Sequence, residues 1–130
     1  MKYKYFRMGI KDIIPQQHYL SVDKYNIIKK NMTDTDSYGD IFVIEYKNRI
    51  FSVDGHHRLF YLYKQGVKEI NVVCEISDND NRLYQVLADE ALELWLKSIA
   101  DLEHKFISDY KKYKEVWIGK CQKLLADLKK

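Results

Sequence analysis

The sequence predicts an α+β fold, with a small mixed-sheet domain over residues 1–78 and a helical extension over residues 79–130. Three observations carry this expectation. Composition changes near residue 78: four of the five glycines and the single proline precede it, and only Gly119 follows. Before that point, β-rich runs interleave with short helical patterns in the order strand, helix, strand, strand, helix, strand. After it, apolar residues recur at intervals of three and four, the spacing of amphipathic helices.

In chain order, Lys4–Met8 reads as the first strand, and Ile10–Pro15 leads into a loop, Gln16–Leu20. Ser21 is placed to cap a helix running to about Asn31, with Tyr25 and Ile28 on its apolar face. Thr33 to Asp40 is a polar loop. Ile41–Tyr46 and Arg49–Val53 flank Lys47-Asn48, the spacing of a hairpin. Leu59–Gln65 is a helix stopped by Gly66, Val67–Ile76 holds the last strand, and Ser77–Asp80 is a polar link able to cap the next helix. Leu83, Val86, Leu87, Leu94 and Trp95 mark one helix of the extension. Leu102, Phe106, Tyr110, Tyr113, Trp117, Leu124 and Leu128 mark a second, with a break between Lys97 and Glu103. A helical hairpin or one long helical arm satisfies that pattern, and an uninterrupted rod is unusual in a globular domain.

A hydrophobic fraction of 46% and a charged fraction of 32% describe a soluble globular chain. The net charge of +3, from 22 basic and 19 acidic residues, falls short of the footprint of a dedicated DNA binder. It permits a nucleic-acid partner without pointing to one. Eleven tyrosines suit half-buried packing, and also base stacking. The two cysteines, Cys74 and Cys121, form no CxxC, so neither a disulfide framework nor a zinc cluster is expected. Cys74 sits in an apolar strand pattern as a small buried hydrophobe. The N-terminus lacks a signal pattern and no apolar run spans a bilayer, so a cytoplasmic protein without a membrane partner is expected.

The chemistry concentrates in Asp54-Gly55-His56-His57-Arg58. A strand that enters a helix through a glycine turn leaves unpaired backbone N–H groups at the helix start, where the dipole favours an anion. Gly55 allows both the tight turn and a close approach to phosphate. Arg58 offers a planar fork for a phosphate. Adjacent helical residues diverge by about 100°, so His56 and His57 do not chelate one metal; one faces the anion while the other packs or caps. Asp54 reads either as a capping carboxylate or as a magnesium ligand or general base. No P-loop or GxGxxG is present.

With these elements in order, residues 1–78 resemble the ParB/sulfiredoxin superfamily. The likeness runs through Ile13-Ile14-Pro15-Gln16, Leu20-Ser21-Val22-Asp23-Lys24, the hairpin closing in Val53-Asp54-Gly55-His56-His57-Arg58, the helix Leu59-Phe60-Tyr61-Leu62-Tyr63, and Gly66 followed by Ile70-Asn71-Val72. The resemblance implies a nucleotide, ATP or ADP with Mg²⁺, bound by Gly55, His56, His57 and Arg58. Lys24 and Gln16 are implied as further contacts and Asp54 as the metal ligand or catalytic base. His56 stands where sulfiredoxins carry their reactive cysteine, so reduction of a sulfinic acid is not implied. His56 and His57 replace the Glu-Arg of partition-type ParB proteins, which makes CTP the less favoured nucleotide. The motif is most similar to that of the superfamily's free serine kinases, Asp-Gly-His-x-Arg. The implied activity is phosphoryl transfer from ATP or ADP to a small hydroxyl acceptor. A ParB-like DNA-binding or nuclease module is a second expectation, although residues 79–130 lack a helix-turn-helix pattern. A third is a non-enzymatic protein that forms a homodimer through its helical tail.

Overall fold

A computed structural model describes residues 2–32, 34–35, 38–76 and 82–129. A five-stranded mixed sheet organises the chain. Its strands are β1 (Lys2–Gly9), β2 (Ile13–Pro15), β4 (Phe42–Tyr46), β5 (Arg49–Ser52) and β6 (Glu69–Ile76), in the order β1-β6-β4-β5-β2. The β1–β6 and β4–β5 pairs are antiparallel; the β6–β4 and β5–β2 pairs are parallel. A separate parallel pair joins β3 (Leu20–Ser21) to β7 (Phe106–Ile107), two short strands from opposite halves of the chain.

Local sequence chemistry explains the N-terminal elements. Ser21 caps α1 (Val22–Asn31), its Oγ accepting the Lys24 N–H at 3.2 Å. Lys47 and Asn48, with φ of 53° and 61°, make the two-residue left-handed turn that matches the twist of a hairpin. Helix α2 (His56–Lys64) ends before Gly66, whose φ of 85° closes it. The expected α+β class is present, and the expected strands and helices of this half occur in order. Ile13–Pro15 and Leu20–Ser21, expected as the approach to a loop and its end, are instead strands that pair with β5 and β7. Cys74 is half-buried against the main core rather than fully enclosed.

The C-terminal half differs from the expected pair of long helices. Helix α3 (Arg82–Glu93) is followed by a 3₁₀ helix, Ile99–His104, then β7. A helical run comes next: α4 (Tyr110–Tyr113), a π-helical segment Lys114–Ile118, and α5 (Gly119–Leu128), which packs back on α3. Leu102 thus lies on the 3₁₀ helix and Phe106 on β7, not on the second helix. The break also comes earlier than expected, at Trp95. Its N–H bonds Leu92 O at 3.0 Å and the Leu96 N–H reaches back to Ala91 O at 3.0 Å, a Schellman closure. Trp95 occupies the left-handed position, φ 63°, usually given to glycine, while Leu96 is buried beside the closure. Burial of Leu96 offsets the strain at the exposed Trp95. Trp95→Gly should accordingly raise stability by about 1 kcal/mol, read as a higher urea midpoint.

The halves share one core. Ile99 and Leu102 are fully buried in the cluster that holds Ile10, Ile13, Leu20, Leu59, Leu62 and Ile70. A satellite cluster of Leu87, Tyr113 and Trp117 seats the C-terminal helices under the loop before β3, with Tyr19 packed against it. Part of the tail's apolar face is thereby used within the chain, while Trp95, Tyr110 and Leu125 stay exposed. The polar link Ser77–Asp80, with the expected boundary at residue 78, lies outside the described residues. No helix among the described residues is long and apolar enough to cross a membrane.

Candidate functional site at the start of the second helix

Beyond β5, the Val53 N–H still pairs with Phe42 O at 3.0 Å, and the chain then turns at Asp54 and Gly55. Gly55 is left-handed, φ 77° and ψ 26°, and is the residue that caps α2. The first bond of the helix runs from the Leu59 N–H to Gly55 O at 2.8 Å. The amides of His56, His57 and Arg58 have no acceptor among the described residues. Residues 54–58 line a hollow of about 310 Å³ with Gln17, Lys24, Ile27 and Ile28. Unpaired amides at a positive helix end give this hollow a preference for anions.

Arg58 is fixed beside those amides. Its Nη1 donates to Tyr38 O at 2.6 Å, and the Tyr38 hydroxyl in turn accepts the Asn71 N–H at 2.8 Å. A Cβ on Gly55 would stand 2.8 Å from Arg58 Nη2, and one on Gly39 would stand 3.0 Å from Nη1. The guanidinium thus lies between two left-handed glycines, and neither position has room for a side chain.

Both histidines tie the segment before α1 to the start of α2. His57 Nε2 accepts the Ser21 N–H at 2.9 Å, which places the ring proton on Nδ1. His56 Nε2 lies 3.2 Å from the Gln17 N–H and 3.0 Å from Ser52 O, and one ring nitrogen serves only one of them. The Gln17 N–H has no other acceptor among the described residues, whereas Ser52 O already accepts the Gln16 N–H at 3.2 Å and does not need a second donor. We therefore assign His56 Nε2 as the acceptor for Gln17. In these tautomers each imidazole is neutral and keeps Nδ1–H as its free donor. Burial pushes His56 down to about 3. Burial, and then the Lys24 ammonium, pushes His57 down to about 4.

Those two shifts, with the lowering of His18 by burial, set a pH dependence. Between about pH 6.5 and pH 4 the unfolded chain binds protons at histidines that the folded chain keeps neutral. Stability should therefore fall as pH drops through that window. Thermal unfolding at pH 7, 5 and 4 checks it, and a flat profile would contradict neutral, buried imidazoles.

Asp54 is exposed; its Oδ1 accepts the Gly55 N–H at 2.8 Å, so it braces the turn while Gly55 occupies the cap position. Lys24 reaches the hollow from α1, its Nζ 5.3 Å from the centre of the Tyr113 ring. Gln16 is placed elsewhere. It is buried, and its Nε2 donates to Tyr84 O at 3.1 Å, away from the hollow. Its neighbour Gln17 lines the hollow instead, donating from Nε2 to Tyr19 O and to the Tyr113 hydroxyl, both at 2.7 Å. Residues 13–16 are all buried, so the chain turns toward the hollow only at position 17.

Among the described residues no group of three or more His, Cys, Asp or Glu is arranged to hold a metal. Asp54, the one carboxylate lining the hollow, fits Mg²⁺ only as part of a shell completed by phosphate oxygens and water. Three hollows elsewhere among the described residues are larger, at about 480, 560 and 400 Å³. The first lies at the negative C-terminal end of α2, where Lys64 already pairs with Glu103 at 3.0 Å. The second and third, along β1 and β6, include no helix start. Among these hollows, that of residues 54–58 combines an arginine with the unpaired amides of a helix start.

No protein-family model matches this chain, and neither does any curated protein. The fold is similar to the crystal structure of protein Atu1540 from Agrobacterium tumefaciens, with a TM-score of 0.55 and 20% identity over 77% of this chain. The match covers 61% of that protein, so the chain spans about three fifths of the solved structure's length. A likeness at this identity concerns the fold.

Proposed function

We propose that this protein binds a nucleoside phosphate, ATP or ADP with Mg²⁺, at the start of α2, in the manner of the ParB/sulfiredoxin superfamily. The observation that carries the proposal is the set of unpaired amides of His56, His57 and Arg58 opening beside a fixed guanidinium. A phosphate there accepts from the amides, from Arg58 and from the Nδ1–H of a neutral imidazole. Ile27 and Ile28 supply an apolar wall for the nucleoside. Asp54 is the group at hand for a magnesium contact or for taking a proton from an attacking hydroxyl. Phosphoryl transfer to a small hydroxyl acceptor is the activity in keeping with this set, Arg58 spreading the charge that develops on the phosphate. A cytoplasmic location goes with such a ligand.

Calorimetric titration with ATP, ADP and CTP, each with Mg²⁺, tests the proposal. Binding of ATP or ADP is expected to be tighter than binding of CTP. Arg58→Ala should weaken it by roughly ten- to a hundredfold, the loss of a charge-assisted hydrogen bond. Heat from none of the three nucleotides would sink the proposal.

A further inference from the structure

The phosphate end of the hollow is built by the N-terminal half, yet a residue of the C-terminal half organises it. Tyr113 is 1% exposed, and its ring meets three groups that belong to the site. The His57 ring stands edge-on to it, with centroids 6.2 Å apart. The Lys24 ammonium sits 5.3 Å from the ring centre, within cation–π range. The Tyr113 hydroxyl accepts from Gln17 Nε2, and the Gln17 backbone N–H is the donor to His56. Tyr110 stacks on the outer side of Tyr113 at 6.0 Å, and a π-helical segment begins at the next residue. Such π-helical turns recur at functional sites.

We infer that Tyr113 is a positioning residue of the anion site, holding the Lys24 ammonium and the His57 imidazole where a phosphate meets them. The inference rests on the phosphate-binding reading above and extends it: the site is complete only when the C-terminal helical run is docked. Tyr113 acts through its neighbours. Its ring keeps water from His57 and gives Lys24 a fixed resting place beside the hollow, instead of a solvated side chain free among rotamers. The charged and titratable groups around His57 are Lys24 from α1, Asp54, His56 and Arg58 from the turn and start of α2, and Tyr113 itself from α4. Without the ring, His57 loses its cover on the α4 side.

The test uses the full chain and two variants. Tyr113→Phe keeps the ring and removes only the hydroxyl; Tyr113→Leu removes the ring. NMR titration of the histidines should find His57 near 4 in the wild type and in Tyr113→Phe, and shifted toward its ordinary 6.5 in Tyr113→Leu. With Mg²⁺ and ADP as the calorimetric probe, Tyr113→Leu should bind about fivefold more weakly and Tyr113→Phe should recover most of that loss, as a cation–π contact predicts. A His57 titration in Tyr113→Leu that matches the wild type overturns the inference, as does unchanged ADP affinity. A wild type that binds no nucleotide defeats the phosphate-binding reading and with it the role given to Tyr113, whereas wild-type binding that Tyr113→Leu leaves unchanged overturns the inference alone. If Tyr113→Leu does not fold, the wild type decides: Lys24 Hε protons shifted upfield by the ring current uphold the inference, and random-coil values overturn it.

Discussion

Leu102→Ala is expected to cost about 3 kcal/mol and to lower the melting temperature by roughly 10 °C. Leu102 lies on the 3₁₀ helix between α3 and β7, is fully buried, and packs in the same cluster as Ile10, Ile13 and Leu59. Removing its isobutyl group leaves a cavity in the main core, not at the edge of an appendage. The same packing predicts one cooperative transition for the whole chain. Both tryptophans, Trp95 and Trp117, belong to the C-terminal half, whereas far-ultraviolet circular dichroism reads both halves. The two signals should melt together in the wild type and shift together in the variant. A fluorescence transition separate from the dichroism transition would show an independently folding tail.

Gly55→Ala is expected to lower both stability and binding. A left-handed φ of 77° costs an alanine about 1–2 kcal/mol before any contact is counted. The added Cβ would then stand 2.8 Å from Arg58 Nη2 and 3.0 Å from Ile41 Cδ1. Ile41 is fully buried, so the guanidinium is the group that yields. The substitution should destabilise the fold by about 2 kcal/mol and weaken nucleotide binding at least tenfold, because the fork leaves its place beside the open amides. Gly66→Ala separates the two effects. Gly66 is equally left-handed, φ 85°, but a Cβ there meets nothing within 4 Å. It should cost about 1 kcal/mol of stability by backbone strain alone and leave ADP affinity as in the wild type. Equal binding by the Gly55 and Gly66 variants would contradict the role given to the turn.

What the sequence discloses here is what short-range chemistry decides. Ser21 as a cap, Lys47-Asn48 as a left-handed hairpin turn, Gly66 as a helix stop and Gly55 as a strand-to-helix turn depend on neighbours a few residues away. The open amides beside Arg58 follow from that same turn. Long-range closure left no such mark. The pairing of Leu20 with Phe106 joins two-residue strands, too short to show an alternating pattern. Trp95 carries no turn signal, because its left-handed conformation is imposed by the burial of Leu96. That Gln16 is buried and its neighbour Gln17 lines the hollow depends on the buried run of residues 13–16 ending one residue past Pro15, which no local pattern marks. Tyr113 was legible only as one apolar position on a helix, and its contacts with Lys24, Gln17 and His57 appear once the tail is folded back.

Amide chemical-shift mapping with Mg²⁺ and ADP tests the central claim most directly. The largest shifts should fall on the backbone N–H groups of His56, His57 and Arg58, with Gly55 and Lys24 beside them, because those amides gain an acceptor on binding. Shifts confined to the hollow at Tyr63–Lys68, or no shifts at millimolar ADP, would contradict a phosphate site at the start of α2.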